Sequence, residues 1–210
     1  MKTFEGHYAR KEYAEALKVL NDQKDNLSQD LWHYNLGTTY AQLKEFPLAR
    51  FHLLTAQKQG FSQAGLYQNL EIVEANLETT RLERSLSAGD NLFKAGIIIS
   101  DGILVTLSLL AIAVGVWFIK KKPSLRLIVL IISVVLLLVG FNHWLISLPR
   151  SIVMENQALY EGPSAIFQGK DEVPAGVLVI TEDEGQWKRI IFPSRFEGWV
   201  KSTGLKELQR

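Results

Sequence analysis

The sequence predicts a multi-domain membrane protein: an α-helical repeat, a two-helix transmembrane hairpin and a small all-β barrel. Three observations predict it. A helical pattern recurs every 33–34 residues before residue 90, two apolar runs flank a basic turn between 97 and 148, and short β-branched stretches follow Pro149. Helical spacing, apolar length and alternation with turn residues are the signals of those three architectures.

The first element, residues 1–90, shows its repeat directly. Lys11-Glu-Tyr-Ala-Glu-Ala-Leu17 aligns with Lys44-Glu-Phe-Pro-Leu-Ala-Arg50, Leu20 then falls on Leu53, and Asn35-Leu36 recurs as Asn69-Leu70. Trp32, Leu36 and Tyr40 are four apart and share one helix face, while Ala49, Leu53 and Ala56 share a face of the next helix. Small residues at Gly37 and Ala49 let those helices approach closely. Pro47 suits a first helical turn and Gly60 a helix end. A long helix is expected over about 63–87.

The second element contains the longest apolar runs. Residues 103–119 are seventeen in number, extended upstream by Ile97, Ile98 and Ile99, and residues 125–148 are twenty-four. About 20 apolar residues cross a hydrocarbon core of about 30 Å. The expected spans are therefore 97–119 and 125–148. Five residues, 120–124, cannot recross a bilayer, so both flanks share one side. Lys120, Lys121, Lys122 and Arg126 crowd the turn, which places it in the cytoplasm and both termini outside it. Met1-Lys-Thr-Phe-Glu-Gly-His7 has no apolar stretch of the signal-peptide kind. That leaves two readings open: a missing upstream signal segment, or both termini cytoplasmic.

The third element covers 152–208. Val177-Leu-Val-Ile180 and Arg189-Ile-Ile-Phe192 are strand-like, and Gly162-Pro163-Ser164, Pro174-Ala-Gly176 and Glu184-Gly185 supply turns. About five short strands are expected.

Chemistry-bearing patterns are sparse. The chain has no cysteine, which excludes disulfides, thiolate metal sites and cysteine nucleophiles. His7, His33, His52 and His143 show no ligand spacing, and His33 and His52 read as surface or groove residues. Both flanks are close to neutral, which gives no electrostatic case for nucleic acid. No catalytic residue, cofactor site or metal site is expected, and the chain reads as a non-enzyme.

Several of these features carry family resemblances. The 33–34 period with Trp32, Leu36-Gly37, Tyr40, Ala49, Leu53 and Ala56 resembles the tetratricopeptide (TPR) repeat. That resemblance implies a protein-binding concave face containing Tyr34, Thr38 and Gln42. Gly162-Pro163-Ser164, Pro174–Gly176, Trp187–Ile190, Gly198-Trp199-Val200 and Leu205 occur in the order found in bacterial SH3-like domains. A ligand groove on such a barrel would include Tyr160, Trp187 and Trp199. The whole architecture resembles the BatE family of the Bacteroides aerotolerance operons. This implies a membrane-anchored scaffold or adaptor in the inner membrane, with periplasmic termini. Its implied partners are the lipid bilayer, envelope proteins such as von Willebrand-type and other Bat operon products, and a peptide or peptidoglycan. The alternative is a sensor in which cell-wall fragments on the barrel signal to the repeat.

Overall fold

The computed structural model describes residues 3–77, 90, 91, 106, 140, 141, 144 and 148–208. The chain forms two compact units, Met1–Leu86 with Pro149–Arg210, and Ser87–Leu148. In the second, the described residues Asp90, Asn91, Thr106, Gly140, Phe141 and Trp144 are helical.

The first unit begins with five helices: α1 (Phe4–Ala9), α2 (Tyr13–Asp22), α3 (Gln29–Gln42), α4 (Phe46–Lys58) and α5 (Ala64–Asn76). Thr3 caps α1 by accepting the Gly6 N–H on its hydroxyl at 3.3 Å, satisfying one of the first-turn donors. Lys11 and Lys44 adopt φ of 62° and 63° in the tight turns before α2 and α4. Pro47 lies in the first turn of α4, where its missing N–H leaves no bond unmade.

Two apolar clusters knit the helices. Phe4, Ala16, Leu20 and Leu36 form one, with Trp32 and Tyr40 packed against it. The Trp32 indole also donates to the Leu20 carbonyl at 3.0 Å. Ala49, Leu53, Ala56, Leu66, Leu70 and Val73 belong to the other. Gly37 lets α3 and α4 meet closely, since a Cβ there would stand 2.7 Å from Leu53 Cγ. The expected long helix over 63–87 is shorter. α5 ends at Asn76, because Leu77 turns extended and buries its side chain.

The rest of the unit is a single antiparallel sheet of seven strands: β1 (Arg150–Val153), β2 (Gln157–Tyr160), β3 (Gly169–Val173), β4 (Leu178–Glu184), β5 (Trp187–Phe192), β6 (Gly198–Lys201) and β7 (Leu205–Glu207). Their order is β3-β2-β6-β5-β4-β1-β7. Val173 of the outer strand β3 shares a core with Val153, Leu159, Val179, Ile190 and Val200, and Leu205 of the opposite outer strand packs on it. The sheet therefore curls around one interior.

Helix α4 joins the helices to the sheet. Its Ala49, Leu53 and Ala56 face the other helices, while Phe51 packs with Ile152 and Leu208. Arg50, 3% exposed, donates from Nη1 to the Gly176 carbonyl at 2.7 Å and from Nη2 to Glu74 Oε1 at 2.9 Å. Lys58 Nζ donates to the Leu208 carbonyl at 2.9 Å, and Lys206 Nζ lies 4.4 Å from the centre of the Phe51 ring. Gly176 suits its place twice over. Its φ is +88°, and a Cβ would come within 2.6 Å of Leu77 Cδ2.

These findings correct the expected fold class. Among the described residues no helix is long and apolar enough to cross a membrane. The longest, α3, has 14 residues and so rises about 21 Å, short of the hydrocarbon thickness. This conflicts with a two-span inner-membrane protein, and with the compartment for both termini that rested on two spans. The segments named as spans, 97–119 and 125–148, and the turn 120–124 lie outside the described residues, apart from Thr106, Gly140, Phe141, Trp144 and Leu148. The unit is instead a mixed assembly of helices and an antiparallel sheet. A free-standing TPR-type repeat would leave one side of α4 open, whereas here the sheet covers it. The expected SH3-like barrel of about five strands is a seven-stranded sheet, because the four-residue β1 and the charged β3 also pair.

Candidate functional site

The sheet carries a cleft of about 350 Å³ lined by Glu161, Lys170, Arg189, Glu197, Gly198 and Trp199. Strand register builds it. Trp199 of β6 lies opposite both Tyr160 of β2 and Arg189 of β5. Residues opposite one another in neighbouring strands share a face, as do residues two apart in one strand. Tyr160, Trp187, Arg189 and Trp199 therefore share the face turned away from Ile190 and Val200. The Tyr160 and Trp187 rings meet edge to face at 5.3 Å. Gly198 lets β6 run tight against β2, since a Cβ would stand 2.9 Å from the Tyr160 carbonyl oxygen.

Charge is arranged around Trp199 in both signs. Arg189 Nη2 donates to Glu197 Oε1 at 2.8 Å, and Lys170 Nζ reaches the Glu197 carbonyl at 3.5 Å. Glu161 and Lys170 flank the 161–168 loop, where Ile166 is 95% exposed. The cleft thus offers carboxylates, an ammonium and a guanidinium beside an indole. That set suits a ligand carrying charge of both signs and a flat or apolar part.

All three barrel residues singled out in the sequence, Tyr160, Trp187 and Trp199, fall on this one face, and Trp199 lines the cleft itself. The charged lining residues were missed. Glu161, Lys170, Arg189 and Glu197 look like ordinary solvated charges in the linear sequence. The available signal was the two-residue step from Trp187 to Arg189, set against Gly198-Trp199.

The helical residues separate. Tyr34 stacks on Phe61 at 4.3 Å between ring centres, and its hydroxyl accepts from Asn69 Nδ2 at 3.5 Å. Thr38 is buried and donates its hydroxyl to the Asn35 carbonyl at 2.9 Å, so it is bound to its own helix. Gln42 is exposed and accepts from the Tyr13 hydroxyl at 3.3 Å. The Tyr8 hydroxyl belongs to the same patch: burial raises its pKa first, nearby Tyr13 and Tyr34 add to that, and a hydrogen bond with Gln42 opposes it. The helical tyrosine hydroxyls are tied to side-chain amides, Tyr8 and Tyr13 to Gln42 and Tyr34 to Asn69.

The histidines depart from expectation. His33 and His52 are buried in contact with each other, not on the surface or in a groove, and His7 is buried against Glu12 at 2.6 Å. His143 lies outside the described residues. Among the described residues no group of three or more His, Asp or Glu side chains is placed to hold a metal ion.

No protein-family model matches the chain, and no curated protein and no solved structure matches it either.

Proposed function

We propose that this chain is a non-enzymatic binding adaptor whose sheet cleft holds a short peptide segment. One observation carries the reading: the cleft sets Glu161, Lys170 and the Arg189–Glu197 pair around Trp199, on a face shared with Tyr160 and Trp187. A basic side chain of the peptide would lie over the Trp199 ring toward Glu161, and an acidic group would turn toward Lys170. Aromatic anchors of this kind supply most of the affinity of small interfaces, while surrounding charges set specificity.

The test is titration of the full chain with short peptides carrying both charges, one charge or none, followed by indole fluorescence or NMR. Trp199→Ala is expected to cost about 2 kcal/mol, about thirtyfold in Kd. Glu161→Gln is expected to weaken only the peptides that carry a basic residue. Equal binding to wild type and Trp199→Ala would overturn the reading.

A second reading, a ligand sensor, is favoured by one connection. β3 carries Lys170 at the cleft and leads through Pro174 and Ala175 to Gly176, whose carbonyl Arg50 holds. Peptide in the cleft would then alter amide protection in α4. Unchanged protection at saturating peptide would leave the adaptor alone.

A further inference from the structure

The most unusual buried polar contact among the described residues joins two imidazoles. His33 of α3 and His52 of α4 are 2% and 6% exposed, and their Nδ1 atoms lie 2.8 Å apart. Trp32 meets both rings edge-on at 4.8 and 6.2 Å, Tyr40 stacks on His52 at 5.4 Å, and Phe51 lies edge-on to both. A hydrogen bond between two ring nitrogens needs one proton between them. Two neutral imidazoles provide that proton and one more.

The surroundings decide where the second proton sits. His33 Nε2 is buried with no hydrogen-bond partner among the described residues. A bare acceptor is cheaper to bury than an N–H donor with nothing to receive it. His33 therefore carries its proton on Nδ1 and donates to His52 Nδ1, and His52 carries its own on Nε2. An added proton has only two places to go. On His52 Nδ1 it abolishes the acceptor of the bridge, and on His33 Nε2 it places an imidazolium in a packed, apolar site.

The neighbouring charges oppose that proton. Lys206 comes from β7, over the Phe51 ring, and Lys24 comes from the short turn after α2, 5.1 Å from the centre of the Trp32 ring. From α3, Tyr40 contributes a hydroxyl that burial, then Glu45, keeps protonated. From α4, Arg50 is turned toward Gly176 and Glu74. Burial, then Lys206 and Lys24, pull His33 down to about 4. Burial, then His33 and Lys206, pull His52 down to about 3.

We propose that the His33–His52 bridge is an acid-sensitive latch that holds α4 against the sheet. His52 is next to Phe51 in the chain, and Phe51 packs on Ile152 and Leu208. Breaking the bridge forces water or a counter-charge between Trp32, Tyr40 and Phe51, and so loosens the contact of α4 with β1 and β7. The sign follows from proton linkage. An unfolded or opened imidazole takes its proton near pH 6.5, whereas the packed pair resists down to about 4 and about 3. The stabilisation is complete above pH 6.5 and is lost as pH falls from there toward 4.

The test uses the full chain, with imidazole NMR and amide hydrogen exchange between pH 7.5 and 4, corrected for intrinsic exchange. Neither histidine is expected to titrate near 6.5. Protection of α4, β1 and β7 is expected to fall tenfold or more between pH 6.5 and 4, while Ile190 and Val200 stay protected. The double variant His33→Asn with His52→Asn keeps a neutral bridge and is expected to lose this acid response. Ordinary titration near 6.5, unchanged protection, uniform loss throughout the unit, or the same loss in the double variant would each overturn the latch. If the double variant does not fold, the wild-type measurements decide alone.

Discussion

Arg50→Ala is expected to lower the stability of the unit by about 3–5 kcal/mol, measured by urea denaturation, through a lost charge-assisted hydrogen bond and a buried carbonyl left without its donor. The guanidinium is buried and binds two groups from separate parts of the chain, the Gly176 carbonyl and the Glu74 carboxylate. Truncation removes the donors, leaves a space between α4 and the sheet, and strips the Gly176 oxygen of a partner. Deleting the other end of the pair costs less. Glu74 has 40% of its side chain exposed and Gln keeps an oxygen to accept from Arg50 Nη2, but the buried guanidinium loses its counter-charge, so Glu74→Gln is expected to cost about 1–2 kcal/mol. Arg50→Lys keeps the charge but cannot fork to both acceptors, so it should fall between the two. An Arg50→Ala midpoint close to that of wild type would show that the apolar contacts suffice to hold the sheet to α4.

Phe51→Ala carries a similar penalty by a different route. The ring is 1% exposed and sits among Ile152, Leu208, His52 and the Lys206 ammonium. Removing a buried Phe costs about 3–5 kcal/mol through lost burial and the cavity left behind. Denaturation of Phe51→Ala should show that loss. The cycle with Arg50→Ala should be less than additive, because neighbouring residues at one interface share what either substitution breaks. Full additivity would mean that the polar and apolar contacts hold independently.

The parts of this fold that were legible in the sequence are those set by near neighbours in the chain. Trp32, Leu36 and Tyr40 do share a face against one core, and Gly37 does admit Leu53. Pro47 does open a helix and Gly60, at φ +106°, follows the end of α4. β4 and β5 announce themselves because β-branched runs flank a Gly185 turn. β3 reads Gly-Lys-Asp-Glu-Val, four of its five residues exposed, and its charge hides it until β2 is known to lie alongside. β1 and β7 are four and three residues long and gain meaning only from pairing, β1 with β4 and β7 with β1.

Arg50, His33 and His52 were the hardest to read. A cation or an imidazole on a helix is ordinarily solvated, and its burial here depends on partners elsewhere in the fold. For Arg50 that partner is a carbonyl 126 residues downstream. The apolar length of 97–148 dominated the sequence reading because hydropathy is a local signal. The cleft was legible by half. Its aromatics stood out, but its charges gain a role only when β2, β3, β5 and β6 are brought side by side.

Arg50 to Gly176 and Lys58 to Leu208 are contacts across 126 and 150 residues, so one body is made from two remote portions of the polypeptide. Ser87–Leu148 is then, in the sense of chain connectivity, an insert within that body. The entropic cost of joining two points of a chain grows only with the logarithm of the length between them, about 0.6 kcal/mol for each doubling. Natural drift or a protein engineer could therefore lengthen or exchange it at small cost to its host. A one-residue slip within α4 would instead misplace every bond to the sheet at once.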